Sequence, residues 1–168
     1  MPDKATIERA KRDKRQGKAP STQAGEFVRE EIEHVREGKH GVRSTKQAIA
    51  IGLSKARRAG VDLPPPVKGS VPEKTRRGAM SAYRAGHGGA HKPSRARARA
   101  ATRALEREPG AGASHDALAK QARSAAAKRT RSERSAAARS AARTKGPVAR
   151  RPQGGAHARY SAFVTACA

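Results

Sequence analysis

Histidine, lysine and arginine are the side chains with which this sequence could do chemistry. Residues 86–91, GHGGAH, hold two imidazoles, His87 and His91, four positions apart. No Cys, Asp or Glu lies nearby to complete a four-ligand zinc set, so the stretch reads as solvated linker and no metal or cofactor is expected. The chain shows no Ser/His/Asp or Cys/His set, no paired-carboxylate pocket and no Walker-type loop. No catalytic residue is therefore expected, and catalysis is the class with least support. What remains is cationic chemistry, the neutralisation of phosphate by lysine and arginine.

Three groups of cations are placed to do it. The first surrounds the loop Gly38-Lys39-His40-Gly41-Val42-Arg43, which runs into a helix capped by Ser44. Free backbone amides and the positive end of the helix dipole, with Lys39, Arg43 and Lys46 nearby, suit a phosphate, though the same glycines suit a plain turn. The second group is Arg95, Arg97, Arg99 and Arg103 in the stretch SRARARAATRALERE. The third lies in residues 114–145, where SAAAKRTRSER is followed by SAAARSAARTK, an offset of eleven. As one helix closed by Gly146 and Pro147, this segment would be a rod about 46 Å long. Lys120, Arg123, Arg131, Arg134 and Lys145 would then share an arc of about 80°, with Leu118, Ala122, Ala125, Ala126, Ala136 and Ala137 opposite.

The elements that must position these groups follow from where the apolar residues lie. Leu, Ile, Val and Phe number 18 of 168 residues, and eleven of them fall in residues 1–63. That content is low enough for much of a highly charged chain to stay disordered, so any core lies near the N-terminus. Charge divides at the same place: residues 1–62 carry a net +6 and residues 63–168 a net +18.

Asp3 can cap a first helix that ends near Gln16 with Gly17 as its stop; Ile7 and Ala10 are its apolar contacts, and the arm is expected to be frayed or surface-laid. From Ser21 or Thr22 a second helix runs to Gly38, with Val28, Ile32 and Val35 at i, i+4 and i+7 and Phe27 beside them. Glu26, Arg29, Glu30, Glu33, Arg36 and Glu37 occupy its other faces, with Arg29 to Glu33 at pairing distance. In the third helix, Ser44 and Gln47 match a capping box, Ile49, Leu53 and Ala56 repeat at helical spacing, and Gly60 fits a left-handed C-cap position. Gly52 and Ala48 leave room for a close approach by a partner helix.

The fold class expected is mainly α: a small N-terminal helical hairpin, helices near 22–37 and 45–59, with a long, largely disordered or conditionally helical basic tail. Its core residues are Phe27, Val28, Ile32, Val35, Ile49, Leu53 and Ala56. The organisation reads as a basic arm (1–20), a small helical domain (21–63), a Pro/Gly-rich linker (64–93), a conditionally helical Ala/Arg-rich tail (94–146) and a disordered C-terminal tail (147–168). A helix-turn-helix reader is disfavoured, because seven residues separate Glu37 from Thr45 where three or four are expected.

The stretch REGKHGVRSTKQAIAIGLSKARRAG, residues 36–60, resembles an uncharacterised family of small basic bacterial and phage proteins. These share a Lys-His-Gly turn, then QAIAI and LS followed by a basic ARxAG ending. The resemblance implies a bacterial or phage setting and a shared fold element, and no chemistry. The Ala/Arg/Lys tail is similar in composition alone to the tails of bacterial histone-H1-like proteins.

With a net charge of +24 and pI 11.6, the expected partner is nucleic acid, duplex DNA before RNA, bound without sequence reading in a histone-like, nucleoid-associated role. Four aromatic residues are too few for single-strand stacking platforms. The alternative is a protein-interaction module, its hairpin binding a protein partner or a second copy because its core is marginal, and its tail serving localisation or solubility. A membrane partner is not expected, since no apolar run is long enough to span one. The N-terminus lacks the apolar core of a secretory signal and Cys167 is the lone cysteine, so a cytoplasmic location at the bacterial nucleoid is expected.

Overall fold

Small side chains, rather than large ones, set how the helices of this chain pack. The computed structural model describes residues 2–88 and 94–145 and is mainly helical. Among the described residues the elements are α1 (Lys4–Arg15), α2 (Pro20–Arg36), α3 (Thr45–Arg58), α4 (Glu73–His87), α5 (Arg95–Glu106), a 3-10 turn (Gly110–Ala113), α6 (His115–Ala127) and α7 (Arg131–Lys145). Among the described residues they divide into two units, the first ending at Lys128 and the second beginning at Arg129. The tail expected at 147–168 and His91 lie outside the described residues.

Ser44 and the helix-ending glycines act as their chemistry dictates, whereas Asp3 precedes α1 without a side-chain capping hydrogen bond and α2 starts at Pro20 behind an uncapped Ala19. Ser44 Oγ accepts the Gln47 N–H at 3.3 Å, and Gln47 Oε1 takes the Arg43 N–H at 2.9 Å. Gly38 follows α2 with φ 74°, a region an L side chain resists. Its N–H donates to Val35 O at 3.2 Å and that of Lys39 to His34 O at 3.0 Å, the paired bonds of a Schellman motif. The same pairing closes α1 at Gly17 and α3 at Gly60, where Val61 folds back into the core beside Ala56.

On α3 the buried ridge is Thr45, Ala48, Gly52 and Ala56, while Ile49, Ile51 and Leu53 are half-buried on its flanks. This ridge lies against α2. A Cβ added at Gly52 would stand 2.6 Å from the Cα of Val28, so the close approach that Gly52 permits is made within the chain, by α2. Gly52→Ala should lower stability by about 2 kcal/mol, because the overpacked backbone outweighs the gain of up to about 1 kcal/mol in helix propensity. A urea midpoint at or above that of the parent chain would refute this contact.

The core has two apolar clusters. Ala10, Ala24, Phe27, Ala56 and Val61, with Ile7, Leu53 and Leu63, form one; Val35, Val42, Ala48 and Ala113, with Ile32 and Ile51, form the other. Of the hairpin residues, Phe27, Val35 and Ala56 are buried, and Val28, Ile32, Ile49 and Leu53 are half-buried. The arm is docked rather than frayed: α1 lies on α2 and buries Thr6, Ala10 and Asp13, with Lys18 paired to Asp13 at 2.7 Å. Two of its three buried residues are polar, which is why aliphatic spacing did not disclose the face.

Within the segment that composition reads as linker, α4 packs on α3 through Ala79 and Ala82. Tyr83 fastens it by donating to Asp62 Oδ1 at 2.7 Å, a bond that raises the phenol above its ordinary pKa. Before it, the buried Arg57 donates to Leu63 O and Pro64 O and clasps the proline run to α3. Burial lowers its guanidinium below the usual value. No helix among the described residues is long and apolar enough to cross a membrane.

The rod expected over residues 114–145 is interrupted. Residues 128–130 leave the helix, and Thr130 opens α7 with a reciprocal capping box. Its Oγ1 accepts the Glu133 N–H at 3.2 Å, and Glu133 Oε2 accepts the Thr130 N–H at 2.7 Å. The single 46 Å helix expected there is therefore two helices, α6 and α7.

Candidate nucleic-acid interface

Arginine at positions 95, 97, 99 and 103 of an alanine-rich segment makes α5 a helix with no core to serve. It buries no residue, and Arg95, Arg97, Arg99 and Arg103 are all exposed. Among the described residues no carboxylate pairs with any of the four. At 100° per residue, Arg95, Arg99 and Arg103 share one face with successive positions about 6 Å apart along the axis, and Arg97 points elsewhere.

This helix is anchored to the N-terminal part of the chain by its last turn and the segment that follows it. Leu105 O accepts the Gly41 N–H at 2.9 Å and Pro109 O accepts the Val42 N–H at 2.8 Å. Thr45 Oγ1 donates to Gly112 O at 2.7 Å, Arg36 Nε donates to Ala113 O at 3.0 Å, and Ala113 joins the second apolar cluster. These contacts also change the reading of the loop at 38–43. Its Gly41, Val42 and Arg43 amides are taken by Leu105, Pro109 and Gln47, so it is no open nest of donors for a phosphate.

The loop's side chains are partly engaged as well. Arg43 Nη2 lies 2.9 Å from Glu108 Oε1, and Lys39 Nζ lies 2.9 Å from Glu37 Oε2, whose hydrogen bond raises the ammonium above its usual pKa. Lys46 is exposed on the first turn of α3. Lys120 and Arg123 are exposed on α6. Arg131 and Arg134 are exposed on α7, Arg134 Nη1 donating to Arg129 O at 2.6 Å, and Lys145 is that helix's last residue.

The acids of α2 fall into two sets. Arg29 to Glu33 forms at 2.9 Å as its spacing predicts, and Glu26 pairs with Arg9 of α1. Glu30, expected on a solvated face, is instead buried at 2% exposure, and Glu31 beside it is at 0%. Lys55 of α3 reaches both: its Nζ is 2.7 Å from Glu31 Oε2 and 3.5 Å from Glu30 Oε1. His40 Nε2 approaches the other oxygen of Glu31 to 3.3 Å, and His34 Nε2 lies 3.5 Å from Asp3 Oδ2.

Neither Glu31 oxygen has a neighbour in hydrogen-bond geometry, close as its cations are. Helical spacing carried one readable trace of this cluster. Glu31 and His34, three apart, must share a face, and the glycine stop at 38 turns His40 back toward them. The contribution of Lys55, from another helix, has no local signature.

No curated protein and no solved structure matches the chain. Residues 11–68, which hold the end of α1, all of α2 and α3 and the loop between them, match a family described as a family of unknown function (DUF6496).

Proposed function

We propose that this protein binds nucleic acid, duplex DNA before RNA, by neutralising backbone phosphates without reading base sequence, in a histone-like, nucleoid-associated role. The observation that carries this reading is the exposed row of arginines on α5, unpaired among the described residues and fastened to a folded support. Charge distribution favours it. Glu26, Glu33, Glu37, Asp13 and Glu108 face cations of their own neighbourhood, which leaves the excess of a +24 chain on the later helices. Phosphate contacts of Lys39, Arg43, Lys46, Lys120, Arg123, Arg131, Arg134 and Lys145 would add to those of α5.

Binding to a random 30-bp duplex across a salt series is the test. If about eight phosphates are neutralised, log K falls with log salt at a slope of about −7, roughly a 10⁴-fold loss between 50 and 200 mM. The triple variant Arg95→Gln, Arg99→Gln, Arg103→Gln should flatten that slope by about 3. An unchanged slope in the variant, or affinity no greater than that of an unrelated peptide of equal charge, would reject the proposal.

A further inference from the structure

Glu31, His34 and His40 place one ligand atom each within 4.8 Å of the other two. We propose that these three residues bind a divalent transition-metal ion, zinc by preference, which pins the loop at 38–43 to the end of α2. The proposal goes beyond the nucleic-acid reading and does not depend on it.

Four features of the cluster favour a metal. Glu31 is fully buried, its oxygens lack hydrogen bonds, and Oε1 is directed at His40. The 3.3 Å from that oxygen to His40 Nε2 is the separation of about 3.3–3.5 Å that two ligands have on one tetrahedral zinc with bonds of about 2.0–2.2 Å. His40 also has an outer partner of the kind ligating histidines use, its Nδ1 lying 3.2 Å from Gly41 O while its Nε2 faces Glu31. Finally, two buried carboxylates, Glu30 and Glu31, share one ammonium, Lys55, which leaves them one negative charge in excess. A bound cation offsets that charge.

The donor set indicates which ion. Two imidazoles and one carboxylate suit zinc and its neighbours and suit magnesium or calcium poorly. His40 also borders a hollow of about 220 Å³ together with Lys39 and Glu108, so the cluster is approached from the His40 side.

The experiment uses the full chain stripped of metal by chelator. Zinc should bind one to one and raise the melting midpoint by at least about 5 °C. Cobalt(II) should give the intense visible bands of a four-coordinate site, and magnesium should give neither response. His34→Gln and His40→Gln should each weaken zinc at least about tenfold. His40→Gln, in the loop, tests the site if the helical variant misfolds, provided its circular dichroism without metal matches that of the parent. A His87→Gln/His91→Gln chain should bind as the parent does. No cobalt bands, binding unaffected by both ligand variants, or binding lost in the His87/His91 control would each overturn the assignment.

Discussion

Lys55→Met should cost about 3–5 kcal/mol, because it leaves two adjacent buried carboxylates, Glu30 and Glu31, without the cation that pairs with both. The loss comes from unpaired charge and not from lost volume, since methionine keeps most of the lysine stem. A triple variant that also carries Glu30→Gln and Glu31→Leu should therefore recover most of the stability, although it restores no ion pair. Urea titration in the presence of chelator keeps any metal out of the comparison. Equal midpoints for Lys55→Met and the parent would show that the carboxylates are solvated and the cluster is open. A triple variant no better than the single one would show instead that Lys55 acts through packing.

Phe27→Ala should also cost about 3–5 kcal/mol. Phe27 is 1% exposed and stands among Ala10, Ala24, Ala56 and Val61, so it supplies much of the volume of its cluster. Alanines fixed on three helices cannot reach inward to fill the space it would leave. Domains of this size are stable by about 5–15 kcal/mol in all, so the variant should lose much of its cooperative transition. A calorimetric endotherm that keeps its sharpness and most of its midpoint would contradict this account of the core.

The boundaries of α2 and α3 were legible because their signals are local. Ser44 with Gln47, and the glycines at 38 and 60, act within one helical turn of where they sit. The buried faces were less legible. Aliphatic spacing pointed to Ile49, Leu53 and Ala56 on α3, whereas Ala48, Gly52 and Ala56 form the ridge, because backbones that cross closely select small residues at the crossing. The same preference hid α4, which docks through Ala79 and Ala82 inside a stretch read as linker.

At the candidate interface, composition disclosed the arginines of α5. It could not disclose that Glu108 would pair with Arg43, 65 residues away, or that Lys55 would turn Glu30 and Glu31 inward. The break at 128–130 was written in the sequence as Thr130-x-x-Glu133, a signal that the high helix propensity of the flanking alanines masked.

The small-residue core has a thermal consequence. Heat capacity of unfolding follows the apolar surface newly wetted, and alanine and glycine at the helix crossings hide little of it. This chain should fall below the roughly 12–15 cal/mol/K per residue of ordinary globular proteins. Its stability curve is then less strongly curved, so that stability falls away more slowly on cooling below its maximum. The anchorage of α5 would therefore persist in the cold, and would be lost on heating in one cooperative step.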